Sequence, residues 1–579
     1  MREAPWCGQE PSGGNPMSDF AGLRVALSAL YAQRRGLEIT GHNVANANTD
    51  GYSRQRVDMN AITGPVTGAF FSKWEGSGQG VKIAQYVRFR DAFLEVRAAL
   101  EHGAEAHLSQ VRYALDQLER LFDEPGDLSI QRSMTELWAG FDDVANHPGD
   151  DAARQQLLER AGTLATTVNH AANEIVAMRD SSVGQLNATI TEVNAMAGTV
   201  AQLNDAIKGA VTSGLNGNDL MDQRDLLVEK LAAKLGATIR PGEFGSVNVF
   251  VNGTALVNGG HAEALEVDTS GASVVVRWQK DNFPATITAG DVGGLLEVVN
   301  VSYPGYLADL DTIALKLRDD VNALHAGTSG SIAATSRDQS AAGSLDIQVA
   351  LNGGAFTTVS VAGADWSGAG GPAALQAALQ AAIDAGIGAG NATIAVTGAL
   401  GAPLSISVTP SAGNTVQTQA VLGNAGFGTL LGRTAVGLDG IGGRRFFEAT
   451  SARDLAVSGD ITGASQIAAA AAGAGPLDAS VALDLAELAS STNGADAMYR
   501  AYIVALGVDS QAVQHRHDIQ KETMSQVDDS RTALSGVNID EEMVNMVQFQ
   551  HAYDAAARFM TSVDEMLDTL INRTGVVGR

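Results

Sequence analysis

Apolar residues near both ends of the chain recur at alternating steps of four and three. In the N-terminal segment this stripe is formed by Leu23, Leu27, Leu30 and Leu37, and the polar Arg34 occupies one of its positions. In the C-terminal segment the stripe comprises Ile539, Met543, Met546, Tyr553, Ala557, Met560, Leu567 and Ile571. This spacing is the heptad pattern of helices that pack in coiled coils. Both ends of the chain are therefore predicted to be helical, with one apolar seam each.

The start of the C-terminal helix is marked by its capping residues. Asn538 is a favoured N-cap residue, and Glu541 follows it three positions later, as in a capping box. The acidic side chains at 540–542 suit the positive end of a helix dipole. This helix is predicted to run from Ile539 to about Asn572.

Between the two ends, segments with helical periodicity alternate with segments of strand-like pattern. Helices are predicted at residues 93–122, 129–146, 151–207 and 306–324. Between residues 238 and 301 the period changes to two, and alternating valines before Asn252-Gly253 predict a hairpin.

A stretch rich in glycine and alanine occupies residues 327–441. Its strand-like runs lie at 345–351, 357–361, 393–397 and 404–408, and one helix is predicted at 373–383. We interpret it as a small separate domain. The alternative is a disordered glycine-rich linker, because the alternation is regular in only some runs.

The predicted fold class is mostly α with β-rich segments (α+β). It combines terminal helices that form a coiled coil, a helical bundle domain and an inserted β-rich outer domain. The predicted limits are an unstructured extension at 1–16, an N-terminal coiled-coil segment at 17–60, a helical and β middle domain at 61–330 and 445–534, the inserted domain at 331–444 and a C-terminal coiled-coil helix at 535–579.

Composition and charge exclude several classes of protein. A formal net charge of −27 and a pI near 4.7 argue against a nucleic-acid partner, which would require a basic surface. The single cysteine, Cys7, cannot build a disulfide framework or a thiolate metal site. No apolar run is long enough to predict membrane insertion, and the first residues lack the apolar core of a signal peptide.

The sequence offers little candidate chemistry. His515 and His517 are separated by two positions, so on a helix they point to different faces and do not readily share an ion. No combination of nucleophile, base and acid stands out from the background of histidines and carboxylates. We therefore expect no enzyme activity, no cofactor and no metal site.

The segment from Gly41 to Gln55, Gly-His-Asn-Val-Ala-Asn-Ala-Asn-Thr-Asp-Gly-Tyr-Ser-Arg-Gln, has the chemistry of a helix stop. Its asparagines bond nearby backbone groups, and Asp50-Gly51 supplies a tight turn. As a string it resembles the signature of flagellar rod, hook and hook-associated proteins. The segments 534–553 and 562–572 resemble the C-terminal helix of the same axial proteins.

Three motifs favour one family among these. Three segments resemble motifs of the first hook-associated protein family. They are Gly51-Tyr-Ser-Arg-Gln55, Asp219-Leu-Met-Asp-Gln-Arg-Asp-Leu-Leu-Val228 and Asp151-Ala-Ala-Arg-Gln-Gln-Leu157. The resemblance covers residues 17–324 and 446–572. The alternatives are a flagellar hook or distal-rod protein and, from another class, a secreted adhesin-like binding protein.

The resemblance implies a structural subunit at the hook–filament junction that assembles head-to-tail into a helical tube. It implies secretion by the flagellar type III apparatus to an extracellular position. The implied partners are further copies of the chain, the hook protein, the next hook-associated junction protein and a flagellar export chaperone. The residues expected at the assembly interface are Leu23, Leu27, Leu30, Leu37, Asn43, Asn46, Asn48, Gly51, Tyr52, Ile539, Met543, Met546, Tyr553, Met560, Leu567 and Ile571.

Overall fold

The structure is a computed structural model that describes most of the chain. The described residues are 18–62, 78–124, 126, 129–326, 328–332, 344–352, 357–362, 364–366, 370–397, 404–414, 416–420, 433–471 and 474–569. The predicted N-terminal extension at 1–16 and the predicted interface residue Ile571 lie outside them.

The main helices are numbered in chain order. They are α1 Ser18–Ala45, α2 Ala92–Phe122, α3 Ile130–Asn146, α4 Asp151–Thr212, α5 Asn218–Leu235, α6 Gly290–Glu297, α7 Tyr303–His325, α8 Gly371–Ile387, α9 Ser480–Ala486, α10 Ala495–Ser535 and α11 Ile539–Asp568. Helices account for 63% of the structure and strands for 15%, which confirms the predicted mostly helical α+β class.

The strands form several small sheets. They are β1 Gln55–Ala61, β2 Val81–Arg88, β3 Thr238–Pro241, β4 Val247–Val251, β5 Thr254–Asn258, β6 His261–Ala262, β7 Leu265–Asp268, β8 Val275–Trp278, β9 Thr328–Ile332, β10 Ser344–Leu351, β11 Thr357–Ala362, β12 Ala392–Thr397, β13 Leu404–Pro410, β14 Val416–Ala420, β15 Arg433–Val436, β16 Phe447–Glu448, β17 Ala456–Val457 and β18 Ala470–Ala471.

Contacts within the chain divide it into two compact units. Unit 1 comprises Met1–Ser109, Leu186–Gly294 and Arg516–Arg579, and unit 2 comprises Gln110–Gln185 and Leu295–His515. The domain limits predicted from the sequence are a finer division, and they remain a prediction.

Unit 1 contains the two terminal helices and the N-terminal half of the β structure. Helix α1 packs against α11, and the antiparallel pair β1–β2 packs against α1. Strands β3 to β6 form a four-stranded sheet. The predicted hairpin is formed by β4 and β5, whose turn places Asn252 and Gly253 at φ 45° and 85°, as a type I′ turn requires.

Unit 2 is organised around a large apolar core. Trp138 and Phe141 of α3 and Phe446, Phe447 and Tyr499 are all buried in it. The Phe141 and Phe446 rings lie 5.3 Å apart, and the Phe446 and Phe447 rings lie 4.8 Å apart in an edge-to-face arrangement. Burial of aromatic surface on this scale stabilises the unit independently of polar contacts.

A second, smaller core lies in the segment predicted to be inserted. Helix α8 contributes Leu375, Leu379 and Ile383, which pack with Ile394 and Val408 of strands β12 and β13. The sheets beside it have the orders β11-β10-β14 and β12-β13-β9-β15-β18. The four strand-like runs and the single helix expected here from sequence are therefore confirmed as regular structure.

Candidate assembly site

Helices α1 and α11 pack side by side in antiparallel orientation. A Cβ atom added at Gly22 would lie 3.7 Å from Val563 Cγ2, and one at Gly36 would lie 2.7 Å from the Phe549 ring. Fourteen residues separate both the two glycines and their two partners, which is two heptads on each helix. The helices thus follow each other closely along their length.

Small residues of α1 line this contact. The buried or half-buried positions that follow the heptad spacing are Gly22, Ala26, Ala29, Gln33, Gly36, Thr40 and Asn43. The predicted leucine seam lies one position further along the helix, where Leu27 is 42% exposed and Leu23, Leu30 and Leu37 are half-buried. Glycine and alanine allow two backbones to approach closely, so the contact centres on them rather than on the leucines.

The predicted stripe of α11 contains both half-buried and exposed residues. Met546, Met560 and Leu567 are half-buried, on the same side as Glu542, Phe549 and Val563. Other members of the stripe are exposed: Ile539, Met543 and Tyr553. Val547, which the sequence did not single out, is exposed beside them. The described part of the chain therefore leaves a strip of apolar side chains on α11 exposed, which comprises Ile539, Met543 and Val547.

The asparagine-rich turn ends α1 as predicted. Asn46 Nδ2 donates to the His42 carbonyl at 3.0 Å, and Asn46 Oδ1 accepts from Thr49 at 3.2 Å. Gly51 has φ 75°, and a Cβ there would lie 3.0 Å from Leu226 Cβ of α5. Glycine is thus required both by the backbone and by the close approach of α5. Asn48 is exposed.

Asn43 is the centre of a buried polar cluster. Its Nδ2 donates to the Gln55 carbonyl at 2.8 Å and to Glu542 Oε2 at 2.9 Å. Its Oδ1 accepts from the Gln55 N–H at 3.0 Å and from the Tyr52 hydroxyl at 2.7 Å. Each hydrogen of the amide is donated once, and its oxygen accepts twice, so the side chain is fully satisfied although it is buried.

Tyr52 keeps its proton in this setting. Burial, with the nearby carboxylates of Asp219, Asp222 and Glu542, raises the pKa of Tyr52 above its usual value. The hydroxyl therefore serves as the donor to Asn43.

Arg54 joins the turn to the start of α11. Its Nε donates to Glu542 Oε1 and its Nη1 to Glu541 Oε2, each at 2.8 Å. Its backbone N–H donates to the Ser535 carbonyl, the last residue of α10, at 2.9 Å. Asn538 caps α11 by accepting from two backbone N–H groups, as predicted. Glu541, the expected capping-box partner, has its carboxylate bound by Arg54.

Helix α5 completes the cluster. Gln55 Nε2 donates to Asp219 Oδ1 at 3.1 Å, and Asn218 Nδ2 donates to Gln55 Oε1 at 2.9 Å. The Ser53 N–H donates to Asp222 Oδ2 at 3.3 Å. Two of the sequence motifs that carried the resemblance, at 41–55 and 219–228, are therefore in direct contact.

Arginines of the β2 end neutralise the acids of α5. Arg88 pairs with Asp222 at 2.8 Å and with Asp225 at 2.9 Å, and Arg90 also pairs with Asp225. Burial raises the pKa of Asp222, although Arg88 opposes this shift. Burial acts in the same direction on Asp225, but Arg224, Arg90 and Arg88 outweigh it and lower its pKa.

Three family models match the chain at the elements just described. The model for "Flagellar hook-associated protein FlgK helical domain" matches residues 115–332. The model for "Flagella basal body rod protein" matches residues 23–52, which hold most of α1 and the asparagine-rich turn. The model for "Flagellar basal body rod FlgEFG protein C-terminal" matches residues 531–573, which hold α11.

Two curated relatives match over nearly their whole length. Flagellar hook-associated protein 1 of Bacillus subtilis (strain 168) is 26% identical over 595 residues, covering 97% of this chain and 100% of the relative. Flagellar hook-associated protein 1 of Escherichia coli (strain K12) is 26% identical over 586 residues, covering 95% of this chain and 99% of the relative. The chain is thus similar over nearly its whole length to proteins named flagellar hook-associated protein 1.

The flagellar hook junction protein FlgK from Burkholderia pseudomallei is a solved structure similar to this chain. It is 18% identical, with a TM-score of 0.46, and the match covers 76% of this chain and 100% of that structure.

The described part of the chain holds no group of three or more histidine, cysteine or acidic side chains placed to bind a metal ion. His517 Nε2 instead lies 3.1 Å from Glu105 Oε1 of α2. None of the described helices is long and apolar enough to cross a bilayer.

Several residues of the polar cluster were not identified from the sequence. Arg54, Gln55 and Glu542 lie within the quoted motifs, but nothing local marks them as mutual partners. Asp222 lies within the quoted motif at 219–228, and Arg88 carries no signal beyond its charge. Because these contacts join positions far apart in the sequence, only the fold brings them together.

Proposed function

We propose that this chain is a structural protein of the flagellar hook–filament junction and that it assembles head-to-tail into a helical tube through its terminal helices. A heterologous contact whose rotation does not close on itself produces a helical assembly rather than a ring. The observation that supports the proposal is the uncovered strip on α11. Ile539, Met543 and Val547 recur every four residues there, and each is about half exposed.

The polar cluster would set the direction of the terminal helix pair. Asn43 and Arg54 hold the end of α1 and the start of α11 at one point, and both bond Glu542. A buried charge pair with satisfied hydrogen bonds favours one geometry over alternatives, which suits a subunit that repeats along a tube. The predicted interface residues Asn43 and Tyr52 would then act by shaping the subunit rather than by contacting a neighbour.

Further copies of the chain would cover the uncovered strip on α11 within the tube. We propose the hook protein on one side and the next hook-associated junction protein on the other as the axial partners, with an export chaperone before assembly. Secretion by the flagellar type III apparatus would deliver the chain to its extracellular position. This role requires no catalysis.

The segment 331–444 is proposed to be a separate domain inserted into the helical frame. The small core formed by Leu375, Leu379 and Ile383 with β12 and β13 supports this division. The strand pairings β9–β15 and β15–β18 extend the same sheet to residue 471, so the far limit of the domain requires a deletion series to define it.

Met543→Glu tests the assembly surface. Met543 is 54% exposed, so the substitution should leave the isolated subunit folded. Burying an unpaired carboxylate in the tube would cost several kcal/mol at each subunit. In a strain that lacks its own copy of this protein, we expect loss of attached filaments in electron micrographs and loss of swimming.

Gln548→Glu is the matched control. It adds the same side chain and charge at another exposed position of α11, away from Met543 and Val547. This variant should restore filaments. Normal filaments on cells with Met543→Glu, while its circular dichroism is unchanged, would show that the strip is not an assembly surface. Met546 is less suitable, because it is half-buried and its substitution also affects the α1–α11 contact.

A further inference from the structure

Strand β12 has the composition of a strand that pairs readily with other strands. Its sequence, Ala392-Thr-Ile-Ala-Val-Thr397, is mostly β-branched and contains no charge, proline or glycine. Segments of this kind are the ones that add to a sheet edge or stack into fibrils when they are exposed. Natural edge strands usually carry a lysine, a proline or a bulge that prevents pairing. β12 carries none of these devices.

β12 also occupies an edge. Among the described strands it is the outermost of the sheet β12-β13-β9-β15-β18, and its partner is β13. The antiparallel register is regular, from Ala392 opposite Pro410 to Thr397 opposite Ser405. The backbone groups on the other side of β12 therefore need partners from outside the sheet.

Two glutamines of α8 supply those partners. Gln380 Oε1 accepts from the Ile394 N–H at 2.8 Å, and Gln380 Nε2 donates to the Ala392 carbonyl at 3.0 Å. Gln376 Oε1 accepts from the Val396 N–H at 3.2 Å. A side-chain amide offers the same donor and acceptor as a peptide group, so the two glutamines reproduce the bonding of a neighbouring strand.

The spacing of the glutamines matches the strand. Alternate residues of a strand, such as Ile394 and Val396, are about 6.8 Å apart. Positions four apart on a helix, such as Gln376 and Gln380, are separated by about 6 Å along the axis. Two side chains at this helical spacing can therefore reach two successive outward N–H groups of a strand.

The core holds these glutamines in place. Each follows a fully buried leucine, Leu375 or Leu379, which packs in the small core. Gln380 Nε2 also donates to Asp384 Oδ1 at 2.9 Å, one turn further along α8. The position of the amides is thus fixed by packing next to them and not only by their bonds to β12.

We propose that Gln376 and Gln380 form an autoinhibitory cap that closes the β12 edge against pairing with the same strand of a second copy of this chain. A bare edge with this sequence would accept an antiparallel β12 from another molecule, because the outward N–H and C=O groups of two such edges are complementary. The inference concerns the sheet that ends in β12 and is independent of the assembly surface proposed for α11.

The double variant Gln376→Met, Gln380→Met removes the cap from the full-length chain. Methionine matches glutamine in length and helix propensity but lacks the amide. We expect the amide hydrogens of Ile394 and Val396 to exchange about tenfold faster in dilute protein, as the loss of one hydrogen bond predicts. At higher concentration we expect a dimer or larger species in light scattering, with these two amides protected again.

Two further variants separate pairing at the edge from added surface hydrophobicity. Ala377→Met with Ala381→Met places the same side chains at exposed positions of α8, and this protein should remain monomeric. Ala395→Lys, added to the uncapped variant, places a charge on the exposed face of β12 and should restore the monomer.

Each alternative outcome overturns a specific part of the proposal. Unchanged exchange at Ile394 and Val396 would show that the glutamines do not hold the edge. Faster exchange without self-association would show that the cap does not inhibit pairing. Association of the Ala377 and Ala381 control would assign the effect to hydrophobicity. If the double variant unfolds, Gln376→Met alone should accelerate exchange at Val396 but not at Ile394.

Discussion

The terminal helix pair and the core of unit 2 are stabilised by different kinds of contact. Between α1 and α11 the buried positions other than Val563 are small or polar, such as Gly36, Asn43 and Glu542, while Met543 and Val547 remain exposed. In the core of unit 2 the large aromatic side chains are the buried ones, and their rings are in contact with one another.

The difference shows which region can be stable without contacts to another molecule. Buried apolar area contributes about 25 cal/mol per Å², so a core of aromatic rings stabilises unit 2 without a partner. The helix pair buries little large apolar surface and depends on close approach and on charged hydrogen bonds. Its remaining apolar side chains are available to neighbours, as an assembling subunit requires.

The largest expected effect is on the buried charge pair. Glu542→Gln removes the buried carboxylate that binds Arg54 and Asn43, and it should destabilise the α1–α11 contact by about 4 kcal/mol. Hydrogen exchange of the α1 and α11 amides measures this loss.

Glu541→Gln is the control for that experiment. Glu541 binds Arg54 at the same 2.8 Å, but its side chain is 58% exposed, whereas that of Glu542 is 3% exposed. An exposed pair contributes at most about 1 kcal/mol. Equal effects of the two variants would mean that burial does not decide the strength of this pair.

A buried histidine provides the corresponding test in unit 2. His325 Nδ1 donates to the Arg444 carbonyl and Nε2 accepts from the Ala468 N–H, each at 2.8 Å, so the neutral ring is fully used. Burial lowers the pKa of His325 to about 4 from 6.5; the bond to the Arg444 carbonyl opposes the shift, and the charges of Arg154 and Arg444 assist it.

The sign of the pH effect follows from this lowered pKa. Below pH 6.5 the unfolded histidine binds a proton that the folded one does not, so unit 2 loses stability as the pH falls from 6.5 to 4. The full loss is about 3 kcal/mol. Urea unfolding followed by near-ultraviolet circular dichroism of the aromatic core should show it. His170→Gln, at an exposed position of unit 2, should leave the pH slope unchanged.

The smallest expected loss of stability comes from a substitution that separates the backbones of α1 and α11. Gly36→Ala places a Cβ 2.7 Å from the Phe549 ring, and this overpacking should cost about 2 kcal/mol. Gly41→Ala lies on the same helix with no atom within 4 Å of the new Cβ, so it should stabilise α1 by about 0.5 kcal/mol. Phe549→Leu should relieve the cost of Gly36→Ala if the contact is correctly placed.

Features that depend only on neighbouring residues could be predicted from the amino-acid sequence. Periodicity located the terminal helices, Asn538 marked the start of α11, and Asn252-Gly253 marked the hairpin. These predictions succeed because capping, turn formation and periodicity are properties of short segments. The asparagine-rich string at 41–55 is also a local feature, and it was sufficient to indicate the resemblance to the axial proteins of the flagellum.

The pairing of helix faces, in contrast, depends on the complete fold. Asn43 and Glu542 are 499 residues apart, and no local pattern pairs them. The leucine stripe suggested a seam one position away from the actual contact on α1, whereas on α11 part of the predicted stripe, including Met546 and Met560, lies on the contact side with Val563. A heptad pattern records where large apolar side chains recur, but the smallest side chains determine how closely two helices approach. The buried face therefore depends on the partner helix as well as on the helix itself.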